Sequence, residues 1–110
     1  MNSEQPPLPP LNPVIHPVSR LRICALLDPV TEEGFGELRD LLEVSDSALS
    51  KQLAALAEAG YLEQRRTKRG GRSRVRVRLT DQGRRAYRTH VTALQALTAL
   101  APEARTTTPH

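Results

Sequence analysis

Apolar residues recur at helical spacing in four stretches of the chain and alternate strictly in a fifth. Val18, Leu21, Ile23, Cys24, Leu26 and Leu27 form a broad apolar face, predicting a first helix that starts near Pro17 and stops at Asp28-Pro29. Phe35, Leu38, Leu41 and Leu42 share one side of a second helix over Phe35 to Glu43. Leu49, Leu53 and Leu56, spaced four and three, make the buried stripe of a third helix from Ser45 to Ala59. Ser45 is placed to cap that helix, and Gly60 to end it in the left-handed conformation. Val44 falls in the short turn between helices two and three, the spacing of a helix-turn-helix unit. Thr80 caps a last helix from Asp81 to about Leu100, with Asp81 suited to its positive start.

The alternating stretch is Arg74 to Thr80, with Val75, Val77 and Leu79 inward and Arg74, Arg76 and Arg78 outward. Its partner strand is Tyr61 to Thr67, and Lys68 to Ser73 forms the hairpin tip around Gly70-Gly71. Thr31 to Gly34 reads as a turn with room for a very short strand. The class is therefore α+β: three helices, a two-stranded hairpin and a C-terminal helix. Five of the nine prolines precede residue 14, so residues 1–13 read as a flexible Pro-rich arm. Residues 14–101 form one domain, its last helix spanning 81–100, and residues 102–110 read as a disordered tail.

Composition narrows the picture. With no Trp, one Phe and two Tyr, the core must be built from Leu, Val and Ala. The net charge of +4 is modest, but eight of the 16 Lys and Arg fall between Arg65 and Arg78, a stretch without Asp or Glu. Like charges crowded on a short hairpin repel one another, which a polyanionic partner would relieve. Double-stranded DNA is the leading candidate. No apolar run reaches membrane-spanning length and no signal pattern opens the chain, so a cytoplasmic location is expected and a membrane partner is not. Cys24 is the single cysteine and sits on an apolar face, as a buried, inert thiol would.

The outward face of helix three carries Ser47, Ala48, Ser50 and Lys51 in its N-terminal half. Small polar side chains let a helix backbone approach base edges in the major groove. Ser45 and Gln52 flank this set and are expected to bind DNA with it, Gln52 ranking lower because it lies closer to the buried side. Lys68, Arg69, Arg72 and Arg74 at the hairpin tip suit phosphates or the minor groove. Arg65, Arg66, Arg76 and Arg78 suit a background field or stem packing.

At these residues the chain resembles winged-helix transcriptional regulators of the MarR/ArsR type, in their compact single-domain form. The matching words run from His16 to Leu97. They are His16-Pro17-Val18-Ser19-Arg20-Leu21-Arg22-Ile23, Phe35-Gly36-Glu37-Leu38, Ser47-Ala48-Leu49-Ser50-Lys51-Gln52-Leu53, Leu56-Ala57-Glu58-Ala59-Gly60-Tyr61-Leu62 and Leu79-Thr80-Asp81-Gln82-Gly83-Arg84. The resemblance implies a winged helix, regulation of a promoter, and a homodimer on a palindromic site. It places recognition on Ser47, Ala48, Ser50 and Lys51 and the wing tip on Lys68 to Arg74. Ala48 departs from the hydroxylated residue frequent at its position.

The family's metal-ligand patterns are not present, so no metal and no cofactor are expected, and His90 reads as an interface or surface residue. There is no catalytic motif, which argues against an enzyme, and nothing in the chain points to a small-molecule effector. Tyr87, His90, Val91, Leu94 and Leu97 give the last helix more apolar surface than one small domain covers, so a partner helix is expected there. The rival reading is a winged-helix module for protein–protein or RNA interaction without specific operator binding.

Overall fold

A computed structural model describes residues 10–100 of the chain; the first part of the Pro-rich arm and the C-terminal tail lie outside them. The elements follow in the order α1 (Val18–Leu27), β1 (Glu33–Gly34), α2 (Phe35–Leu42), α3 (Asp46–Glu58), β2 (Leu62–Arg69), β3 (Arg72–Leu79) and α4 (Asp81–Thr98). β1 pairs antiparallel with β3, so the hairpin belongs to a three-stranded sheet of order β1-β3-β2. This is the winged-helix arrangement.

The local signals explain where the elements begin and end. The Ser45 hydroxyl accepts from the Ala48 N–H at 3.1 Å and Thr80 accepts from Gly83 at 2.9 Å, each satisfying a donor of the first helical turn. Gly60 ends α3 at φ 83°. The hairpin tip is shorter than the pattern suggested: Gly70 and Gly71, at φ 55° and 79°, make the whole turn. Two consecutive positive φ values match the right-handed twist of the strands, so Arg69 and Arg72 already pair across the ladder.

Leu49, Leu53 and Leu56 of α3 are fully buried, packed with Ile23, Leu27 and Leu38 and closed by Val77 and Leu79 of the sheet. Burying each such side chain contributes about 1.5–3 kcal/mol. Two residues expected on apolar faces are not in this core. Val18 is 68% exposed in the first turn of α1, and Leu41 is 57% exposed. The buried line of α2 is Leu38 and Leu42, and Leu41 lies about 100° round the helix from Leu42.

The N-terminal boundary also falls earlier than residue 14. Asn12 accepts at Oδ1 from the Val14 and Ile15 N–H groups, and its Nδ2 donates to the Tyr61 hydroxyl at 2.9 Å. Its backbone N–H donates to His90 Nδ1, also at 2.9 Å. Residues 10–16 thus lie as a strap over α4, with Ile15 inserted completely into the core. His90 is 1% exposed beneath that strap, which corrects its placement on an interface or surface.

Candidate nucleic-acid interface

α3 presents Ser47, Ala48, Ser50 and Lys51 to solvent, opposite its leucine stripe. Among the described residues Lys51 has no carboxylate partner within salt-bridge distance. Ser45 spends its hydroxyl on the cap and lies 3.3 Å from the Ser47 hydroxyl. Gln52 is half-buried and its carbonyl oxygen accepts from Arg20 Nη1 at 3.0 Å, which ties it to α1 and leaves only its amide hydrogens for a ligand.

The same end of α3 carries Asp46, whose charge favours the helix start but would repel phosphates. Arg39 of α2 meets it at 3.0 Å and also meets Asp40 at 3.1 Å. Nothing local in the sequence signals this pair, because it depends on how α2 crosses α3. A cleft lined by Phe35, Arg39, Arg72, Arg74 and Arg76 separates the first turn of α2 from β3, so the helical pair and the hairpin face each other across it.

The pairing register sorts the hairpin's cations by face and height. Counting outward from the turn, Arg69 faces Arg72, Thr67 faces Arg74, Arg65 faces Arg76 and Glu63 faces Arg78. The sequence suggested uncompensated repulsion along the whole hairpin, and that expectation needs correcting. Glu32, in the turn before β1, accepts from Arg65 Nη2 at 2.9 Å and from Arg76 Nε at 3.2 Å. Glu63 accepts from Arg78 at 2.6 Å. Partial burial pushes the Glu32 carboxyl up, but hydrogen bonds from Arg76 and Arg65 outweigh it and hold the group below its ordinary value. At the base of the hairpin Arg65, Arg76 and Arg78 are thus paired, whereas Arg66, opposite Val75, is exposed and has no carboxylate partner among the described residues. Lys68, Arg69, Arg72 and Arg74 near the tip are exposed and have no such partner among the described residues.

The terminal helix is anchored by residues the periodicity did not single out. Arg84 donates to the backbone carbonyls of Asp28 and Val30, and Arg88 meets the Asp28 carboxylate at 3.1 Å. Of the expected interface set, Tyr87, Val91 and Leu94 are half-buried, and Leu97 is 42% exposed. Cys24 is fully buried, and burial, reinforced by the Asp28 charge, pushes its thiol up to about 12, as an inert core residue requires. Among the described residues no group of three or more His, Cys, Asp or Glu could hold a metal ion, and no helix is long and apolar enough to cross a membrane.

Comparison with known proteins gives a consistent picture. Residues 19–98 match the family described as winged helix DNA-binding domain. HlyU from Vibrio cholerae N16961 is 30% identical, the match covering 68% of this chain and 77% of that one with a TM-score of 0.57. A transcriptional regulator homologue from Pyrococcus horikoshii OT3 shares the fold at a TM-score of 0.77 and 20% identity, over 81% of this chain and 88% of its own. An uncharacterized protein of Methanocaldococcus jannaschii is 28% identical over 78 residues, 71% of this chain and 85% of the relative.

Proposed function

The chain belongs to the winged helix DNA-binding domain family, and from that premise we propose that it is a sequence-specific transcriptional regulator, acting as a dimeric repressor on a palindromic operator. α3 enters the major groove, where Ser47, Ala48, Ser50 and Lys51 meet base edges and Ser45 and Gln52 hold the helix in place. Lys68, Arg69, Arg72 and Arg74 clamp phosphates or the minor groove. The observation that carries this reading is the charge gradient of the hairpin: the four cations near the tip have no carboxylate partner among the described residues, while three of the four at the base are paired. A surface serving only solubility has no reason to concentrate its unpaired cations at one end.

The second copy would join along α4 through Tyr87, Val91, Leu94 and Leu97, the last of them 42% exposed, with Leu100 just past the helix 58% exposed. Half-sites should then lie about 10 bp apart, or a multiple of it, centre to centre. The test is selection of bound sequences from random duplex DNA, followed by titration of two variants. Lys51→Ala should cost about 1–3 kcal/mol on the selected site and little on random duplex. Arg72→Ala should weaken both alike and reduce the salt slope by about one. Equal effects of Lys51→Ala on selected and random DNA would reject the division of labour. Failure to enrich any sequence would favour a protein- or RNA-interaction module.

A further inference from the structure

The hairpin's arginines differ in what holds them, and one carboxylate from outside the hairpin makes the largest difference. Arg65 and Arg76 face each other directly on the outer face of the ladder, an arrangement that like charges oppose. Glu32 resolves it. One of its oxygens accepts from both guanidiniums, at 2.9 and 3.2 Å, and the other accepts again from Arg65 at 3.2 Å. The Glu32 side chain is 22% exposed and Arg76 31%, while Arg65 reaches it from solvent at 61%. Glu63, on Arg78 alone, is the more exposed carboxylate, at 57% against 22% for Glu32.

Resting on the DNA-binding reading above, we propose that Glu32 is a specificity-determining residue: by holding Arg65 and Arg76 on its carboxylate, it keeps them off the phosphates. Phosphate contacts position a protein and raise its affinity for any duplex, but carry no sequence information. Withholding Arg65 and Arg76 from them lowers binding to arbitrary DNA and leaves the reading by α3 untouched. The ratio of operator to random binding rises as a result. Glu32 makes this contribution without touching DNA, from a turn that also starts the strand bracing the hairpin.

The experiment is a salt titration of Glu32→Gln in the full chain, against random-sequence duplex and against an operator selected from a random pool. Each guanidinium that gains a phosphate steepens the slope of log affinity against log salt by about 0.9, so the variant's slope should steepen by up to about 1.8. Its affinity for random duplex should rise, and its operator-to-random ratio should fall. A folded variant, checked by circular dichroism, whose slope is unchanged or shallower overturns the proposal. A second protein keeps the test independent of that variant's folding: Arg65→Gln/Arg76→Gln with Glu32 intact. It should bind random duplex with nearly the parent slope, and a slope shallower by one or more phosphate contacts overturns the proposal. Absent or salt-independent binding by the unmodified chain is a different result, and overturns the DNA-binding reading itself.

Discussion

His90 is held neutral by everything around it. Its Nδ1 accepts the Asn12 N–H and so carries no proton, while its Nε2 lies 3.4 Å from His16 Nδ1. Burial lowers its pKa, and the neighbouring charge of His16 lowers it further. The other groups facing this site are Arg85 of α4, a fixed cation, and Tyr61, which reaches it through Asn12. The folded state thus binds fewer protons at His90 than the unfolded chain does. The stability due to neutral His90 is fully present above the ordinary histidine value of about 6.5 and is lost as pH falls toward the lowered native value. The denaturation midpoint should fall between about pH 7.5 and about pH 5.5. His90→Gln, whose carbonyl can still accept from Asn12, should remove most of that fall. A midpoint in the parent that ignores pH over this range would contradict the account.

Elements dock at close range, and Gly83 shows how close. A Cβ on Gly83 would lie 2.0 Å from the Tyr61 carbonyl oxygen and under 3 Å from two further backbone atoms of Tyr61. Gly→Ala in an open helix stabilises by about 1 kcal/mol. Here the atoms it meets are backbone and cannot rotate aside, so Gly83→Ala should instead destabilise by about 1–3 kcal/mol, read by urea unfolding. Features governed by neighbours in sequence were legible beforehand: the Ser45 and Thr80 caps, the Gly60 helix end, the leucine stripe of α3 and the Gly-Gly turn. The Glu63–Arg78 pair was readable too, since counting outward from a two-residue turn sets those residues opposite each other. Glu32 on Arg65 and Arg76, Arg39 on Asp46, and Arg84 on the end of α1 join separate elements, and no periodicity encodes such crossings. His90 misled for a related reason. Its position on α4 suggested exposure, and only the strap from residues 10–16 covers it.

At the scale of the whole molecule, the proposed dimer rests on the apolar side chains of α4. Leu97→Glu places a charge on a side chain that is 42% exposed in the single chain, so the fold should survive, as circular dichroism would show. Self-association in sedimentation equilibrium should be lost. Affinity for a two-half-site operator should fall by about a hundredfold or more, because the second contact ceases to be intramolecular. A monomeric parent, or a variant that still dimerises, would place the interface elsewhere. The strap has a consequence for how the chain is made. The Asn12–His90 bond joins residues 78 apart, and Ile15 seats in the core beside it. As the chain leaves the ribosome, Asn12 must wait until the part of α4 that carries His90 has emerged to receive it. The contact between Asn12 and His90 can therefore form only after that part of α4 has been made.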